Sequence, residues 1–150
     1  MDFKPLTEET WPNIKALFGE QGACGGCWCM YWRLTHKEYE NNKGVKNKEK
    51  LHALVKKGRP LGVLAFDQDI PVGWCSTSPR RSLVRLKNSR LFKRIDEKPV
   101  WSISCLFIKK EYRRKGLSKY IIQAASNFAF NEGATIIEAY PHDIQRENHA

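Results

Sequence analysis

The segment from residue 100 to residue 140 restricts the fold more than any other part of the sequence. Two strand-like runs, "VWSISCLFI" (100–108) and "ATIIEAY" (134–140), flank a helical pattern. Apolar residues recur in that pattern at helical spacing, namely at Leu117, Tyr120, Ile121, Ala124, Ala125, Phe128 and Ala129. A strand, a helix and a strand over about forty residues predict a right-handed βαβ crossover with two parallel strands.

The strand at 100–108 is predicted to be covered on both faces. Simple alternation would place Trp101, Ile103, Cys105 and Phe107 on one face, and the opposite face also carries no charged residue. Strands of this kind are typical of a sheet with layers on both sides.

The rest of the chain predicts a mixed α/β (α+β) fold in a single domain spanning residues 1–150. A short first strand precedes a helix in "TEETWPNIKALFGE" (7–20), for which Thr7 is the expected N-cap. A polar loop and a basic helix that ends near Gly58 follow. Two strand-like runs joined by "DQDI" predict a hairpin, and residues 80–98 predict a short basic helix.

Composition is typical of a soluble globular protein, with 41% hydrophobic and 28% charged residues. The N-terminal residues lack the basic-then-apolar pattern of a secretory signal. No apolar run approaches the roughly 20 residues that cross a bilayer. We therefore expect a cytoplasmic protein with no membrane partner.

The net charge of +10 is the unusual property of the composition. The positive charges form three clusters, at 43–59, 80–94 and 109–119. Such an excess favours a polyanionic partner, which could be nucleic acid, anionic lipid or a phosphorylated cofactor. The charge alone does not choose among them.

Five cysteines, an odd number without an export signal, favour reduced thiols over a disulfide framework; they are Cys24, Cys27, Cys29, Cys75 and Cys105. The first three could bind zinc together with His36 or Cys75. A structural zinc site usually has two separated ligand pairs, whereas this set is crowded, so we expect buried thiols and no metal. Alternation would put Cys27 and Cys29 on one side of a strand. A cysteine nucleophile near His36 is the remaining alternative.

The basic turn "KKEYRRKGLSK" (109–119) leads directly into the predicted helix. A helix N-terminus presents unpaired N–H groups and the positive end of the helix dipole, and a glycine there lets a phosphate approach the backbone. Neither a three-glycine dinucleotide fingerprint nor a P-loop is present. The alternative is a solvated helix start that binds nothing.

The turn and its flanking elements resemble the acetyl-CoA-binding core of the GNAT superfamily of N-acetyltransferases. The family signature [QR]-x-x-G-x-[GA] reads here Arg113-Arg114-Lys115-Gly116-Leu117-Ser118, with Ser118 in place of Gly or Ala. The context of strand, turn, amphipathic helix, glycine and strand matches over residues 100–141. The stretch "CGGCWCMYWRL" (24–34) also resembles a bacterial subgroup of this family with an unassigned substrate.

The resemblance implies acetyl-CoA as the acetyl-donor cosubstrate. Backbone N–H groups from Arg114 to Lys119 would bind the pyrophosphate, and the strand at 106–108 would pair with the pantetheine arm. The strands at 100–108 and 135–140 would separate, with the thioester between them. The implied cofactor-binding residues are Leu106, Phe107, Ile108, Arg113, Arg114, Lys115, Gly116, Leu117, Ser118 and Lys119.

Acetyl transfer to an amine needs a base for the ammonium and a donor for the oxyanion. The candidate catalytic residues are Glu138 and His142, with Asp143 beside them, and a main-chain N–H near Leu106 could bind the oxyanion. The family often uses a tyrosine in a fourth helix as general acid, and "HDIQRENHA" stands where that helix would begin. The resemblance thus implies a GNAT-like central mixed sheet whose C-terminal part is short or missing.

Two classes of function follow. The first is an acetyl-CoA-dependent N-acetyltransferase in which the primary amine of a small molecule or a peptide attacks the thioester directly. The second is a basic nucleic-acid-binding module using residues 43–59 and 80–94, or a catalytically incomplete CoA-binding protein. Unpaired strand edges would favour a homodimer.

Overall fold

A five-stranded mixed sheet forms the centre of the protein. The computed structural model describes residues 1–23, 26–42, 44–87 and 100–143, without the side chains of residues 86, 87 and 140–143. The strands are β1 (Asp2–Pro5), β2 (Gly62–Asp67), β3 (Ile70–Pro79), β4 (Val100–Ile108) and β5 (Ile136–Asp143). They lie in sequence order, antiparallel except for the parallel pair β4–β5. The predicted mixed α/β fold and parallel crossover are confirmed.

Five α-helices pack around this sheet within the described residues. They are α1 (Trp11–Phe18), α2 (His36–Asn41), α3 (Val45–Lys56), α4 (Val84–Lys87) and α5 (Leu117–Asn131). Single 3₁₀ turns at Arg80–Ser82 and Lys110–Tyr112 follow β3 and β4. None of these helices has the length and apolarity of a membrane span, a statement that covers the described part of the chain.

Local sequence signals explain most of these boundaries. The β2–β3 hairpin turns through Gln68 and Asp69, whose φ angles of 48° and 70° suit a tight two-residue turn. Helix α1 begins later than predicted because Pro12 belongs to its first turn. Thr7 is therefore not the N-cap; Thr10 precedes the helix, and its hydroxyl donates to the Pro5 carbonyl at 2.8 Å.

Helix α2 is an element that the sequence prediction missed, because a polar loop was expected before the basic helix. Thr35 and Glu38 form a complete capping box around its first turn. Thr35 Oγ1 accepts from the Glu38 amide at 3.2 Å, and Glu38 accepts from the Thr35 amide at 3.2 Å. The spacing Thr-x-x-Glu was a readable helix signal in the sequence.

The sheet is covered on both faces, by different kinds of side chain. Helix α5 packs on one face through Leu117, Ile121, Ala125 and Ala129, all buried. The prediction for Tyr120 was wrong, since its side chain is 62% exposed. On the other face lie α1, α3 and the loop before α2, with a core rich in aromatic residues, among them Trp11, Phe18, Trp28 and Trp74.

A bulge at Ser104 changes which residues of β4 face each layer. Ser76 pairs with Cys105 and Thr77 with Ile103, so Ser104 has no partner of its own on β3. Ile103 packs on the α5 side, whereas Cys105 and Phe107 pack against the aromatic core on the other side. The predicted grouping of Trp101, Ile103, Cys105 and Phe107 on one face is wrong, because one extra residue reverses the alternation.

Candidate active site

The turn before α5 has the geometry of an anion site. Gly116 directly precedes the helix with φ +81° in the left-handed region, and no side chain caps the helix. A Cβ built on Gly116 would meet no atom within 4 Å, so the space in front of these amides is open. The first N–H groups of a 15-residue helix thus point toward this open space.

Two side chains hold this turn against the sheet. Arg113 Nε donates to the Ile108 carbonyl at 2.8 Å, so this predicted cofactor residue binds the end of β4. The Tyr112 hydroxyl donates to Asp67 Oδ2 at 2.6 Å, which links the turn to the end of β2. The same hydrogen bond to Asp67 raises the pKa of Tyr112. Lys115 and Lys119 remain exposed beside Gly116.

The end of β4 lies beside this turn, and its ladder to β5 is irregular. The pairing runs from Val100 opposite Ile136 to Leu106 opposite Asp143, with a register shift between Ile103 and Cys105. The expected separation of the two strands is therefore wrong for residues 100–106, because the strands stay paired across the bulge. Phe107 and Ile108 lie beyond the last described pair.

Among the predicted catalytic residues, Glu138 is described in full. It pairs with Ser102 across the β4–β5 ladder, and its Oε1 accepts from Ser102 Oγ at 2.8 Å and from Arg80 Nη1 at 3.2 Å. Arg80 is 7% exposed. The carboxylate is thus held by a guanidinium and a hydroxyl, on the sheet face opposite α5.

His142 and Asp143 are brought to the middle of β4 by the backbone register. His142 lies opposite Cys105, and Asp143 lies opposite Leu106. Their side chains are outside the described part of the chain. Both positions adjoin the bulge at Ser104, whereas Glu138 lies opposite Ser102, two residues before the bulge.

Comparison with known families identifies the one to which this fold belongs. The sequence profile described as "Acetyltransferase (GNAT) family" matches residues 28–150. The chain belongs to the GNAT acetyltransferase family. The resemblance read from Arg113 to Ser118 is confirmed, and so is the prediction of an acetyltransferase. No curated protein matches the sequence.

Solved structures agree on the fold of this acetyltransferase. The aminoglycoside antibiotic 6'-N-acetyltransferase from Acinetobacter haemolyticus has 15% identity and a TM-score of 0.58, covering 99% of this chain and 85% of that one. An aminoglycoside acetyltransferase from a soil metagenome, solved with sisomicin, has 16% identity and a TM-score of 0.60 over 99% and 82%. AAC(6')-Iy, solved with CoA, has 13% identity and a TM-score of 0.62 over 99% and 83%.

The described cysteines of the acetyltransferase lie on both faces of the sheet, with Cys27, Cys29 and Cys105 in the aromatic core and Cys75 on the α5 side. Cys27, Cys29 and Cys75 are buried free thiols and Cys105 is half-buried, while Cys24 lies outside the described residues. Residues 27–29 form a loop, so the expected strand alternation of Cys27 and Cys29 is wrong. Within the described part of the chain, no group of three His, Cys, Asp or Glu residues is arranged to hold a metal.

Cys29 has an environment that stabilises a thiolate. Trp28 and Cys29 both adopt left-handed φ angles, 45° and 59°, which are strained for residues other than glycine. The Trp74 indole N–H donates to Cys29 Sγ at 3.3 Å. Hydrogen bonding from Cys105, followed by the charge of Arg33, lowers the pKa of Cys29 to about 6 despite its burial.

Arg33 is a buried cation that the sequence analysis did not single out. It is 8% exposed, and its Nη2 donates to Ser78 Oγ at 2.8 Å and to Ser76 Oγ at 3.0 Å. Burial lowers its pKa, and the thiolate of Cys29 acts in the opposite direction. No motif marks such a residue, because its neighbours come from β3 and are distant in sequence.

We expect the Cys29 thiolate to titrate with a midpoint near pH 6, well below the value of about 8.5 for a free cysteine. Because folding lowers the pKa of Cys29, its ionisation stabilises the fold fully at pH values above the pKa of the unfolded chain. This contribution to stability is lost as the pH falls through about 6. Thiolate ultraviolet absorbance against pH measures the midpoint. Cys29→Ser should remove the transition, and its persistence in that variant would contradict the assignment.

Proposed function

We propose that this protein is an acetyl-CoA-dependent N-acetyltransferase that acetylates the primary amine of a small molecule or peptide. The uncapped start of α5 at Gly116 carries the proposal, because its amides and open space suit a pyrophosphate. Its support is the family membership and the solved relative that contains CoA. The cofactor residues Phe107, Ile108 and 113–119 keep the roles implied by the resemblance, whereas Leu106 lies opposite Asp143 of β5 and leaves the pairing with pantetheine to the two residues after it.

The proposed reaction is a direct displacement. The neutral amine nitrogen attacks the thioester carbonyl, a C–N bond forms, the C–S bond breaks, and the thiolate of coenzyme A takes a proton. A main-chain N–H beside the bulge at Ser104 would stabilise the oxyanion, since a bulge leaves backbone groups outside the ladder. Glu138 and His142 are the proposed bases for the ammonium proton.

Incubation of the protein with acetyl-CoA and a panel of primary amines tests the function. We expect formation of an N-acetylated product, detected by mass spectrometry, together with an equal amount of free coenzyme A. Coenzyme binding without product from any amine would support the catalytically incomplete alternative. Failure to bind the coenzyme would refute the proposal.

Replacement of Glu138 by Gln should lower kcat by about 100-fold, if its carboxylate accepts the proton directly or through one water. Gln keeps the size and can still accept from Ser102 and Arg80, so the fold should persist. Steady-state rates of both proteins measure the effect. An unchanged kcat would assign Glu138 a structural role and leave His142 as the candidate.

Homodimer formation and a cytoplasmic location stay predictions. In the described part of the chain, β1 and β5 are the edges of the sheet and are the strands through which a dimer would pair.

A further inference from the structure

A cavity of about 600 Å³ lies at one end of the sheet, between α3 and Glu132, the residue that follows α5. It opens where the second half of α3, the turn after β3 and the start of β4 meet. Its volume is within the range of small-molecule sites, about 300–1,000 Å³. The proposed diphosphate site at Gly116 contributes no residue to its walls.

The charged side chains of this cavity are nearly all positive. Among the described residues they are Arg33, Lys50, Lys57, Arg59, Arg81 and a single carboxylate, Glu132. Arg59 and Arg81 are exposed, and neither forms an ion pair with another described residue. All of these cations except Arg33 come from the two basic clusters, 43–59 and 80–94, that the coenzyme does not require. The fold therefore concentrates that charge around one concave space, which we call the basic pocket.

Arg33 is a buried cation in the wall of the basic pocket. Its side chain is more than nine-tenths buried, and its Nε has no hydrogen-bond partner. A buried polar donor without a partner is uncommon in a folded protein. Arginine is also suited to planar, bidentate binding of carboxylate and phosphate groups.

The basic pocket is connected to the bulge of β4 by a short polar chain. Arg33 Nη2 donates to Ser76 Oγ at 3.0 Å, and Ser104 Oγ donates to Ser76 Oγ at 3.2 Å. On the other side, Pro79 and Arg81 of the pocket wall flank Arg80, which binds Glu138. The pocket wall is thus linked through β3 and the turn after it to the residues of the proposed acetyl-transfer site.

We propose that the basic pocket binds a phosphate or carboxylate of the acceptor, so that the substrate is a small amine that also carries negative charge. This inference rests on the proposed function, because it assigns the acceptor of the same reaction. A single-stranded nucleic acid is the less favoured ligand, since it needs an extended groove with stacking aromatics. Here the cations surround a single concavity, and Trp28 is buried in the core.

Calorimetric titration without acetyl-CoA tests the inference with three probes of similar size: O-phosphoethanolamine, β-alanine and ethanolamine. We expect the phosphate or the carboxylate probe to bind at least about tenfold more tightly than ethanolamine, and the stronger of the two identifies the anionic group. The double variant Arg59→Gln, Arg81→Gln should lose that preference. The matched variant Lys37→Gln, Lys46→Gln removes two exposed charges away from the pocket and should keep it.

The inference would be overturned if both anionic probes bound the Arg59, Arg81 variant as tightly as the wild type, or if ethanolamine bound the wild type as tightly as they do. It would also be overturned if single-stranded RNA were the only ligand whose binding depends on these arginines. Failure of this inference can be distinguished from failure of the proposed function, because the two sites are tested separately. A Gly116→Glu variant should lose coenzyme binding and still bind the anionic probe. In steady-state acetylation, the Arg59, Arg81 variant should raise KM for an anionic amine with kcat nearly unchanged. Spermidine, a polycation, should be a poorer acceptor than the anionic amine.

Discussion

Replacement of Gly116 by Glu is expected to weaken coenzyme A binding by at least about 100-fold. The new carboxylate would project into the open space in front of the first amides of α5, where the pyrophosphate is proposed to bind. Two like charges about 4 Å apart near a protein surface repel by about 4 kcal/mol. The side chain also requires a left-handed backbone, which glycine adopts without strain. Calorimetric titration of acetyl-CoA into both proteins measures the loss.

Two control variants separate charge from backbone strain. Gly116→Gln has the same size and strain without the charge, so it should bind the coenzyme better than Gly116→Glu. Gly44→Glu places the same carboxylate at another helix start, because Gly44 precedes α3 with φ +82° and its Cβ would also meet no atom within 4 Å, although its ψ of −128° differs from the 4° of Gly116. We expect Gly44→Glu to bind acetyl-CoA like the wild type. Equal losses in the Gly44 and Gly116 variants would contradict the assigned site.

Replacement of Arg33 by Met is expected to lower the free energy of unfolding by about 3–5 kcal/mol, the usual cost of removing one partner from a buried charged pair. The guanidinium joins the loop before α2 to β3 through Ser76 and Ser78, and it lies beside the thiolate of Cys29. Methionine fills much of the volume but leaves these groups without their donor. Chemical denaturation measures the change, and exposed Arg81→Met should stay within about 0.5 kcal/mol.

A double-mutant cycle identifies the part of this loss that depends on Cys29. In a Cys29→Ser background no thiolate remains, so Arg33→Met should cost less by about 0.5–3 kcal/mol. The same reduction is expected in the wild-type background below pH 6, where Cys29 is protonated. A cost that is the same in all three conditions would show that Arg33 acts only through its serine partners.

Local patterns predicted the elements that contain the proposed coenzyme site. The helical spacing of Leu117, Ile121, Ala125 and Ala129 predicted α5, and the single glycine before it predicted the helix start. Tyr120 was misassigned because it lies at the edge of the apolar face, where spacing does not distinguish buried from exposed positions. The same limit applies to Thr7, since Pro12 and Thr10 together determine where α1 begins.

The sequence by itself determined the class of the fold, the β4–α5–β5 crossover and the turn at Gly116, because each depends on residues adjacent in the chain. Only the tertiary structure decided which residues meet on the opposite face of the sheet. The bulge at Ser104 arises from pairing with β3, and it moves Cys105 to the side of Cys29. The basic pocket likewise combines residues from distant segments, whose proximity depends on chain packing and leaves no periodic signal.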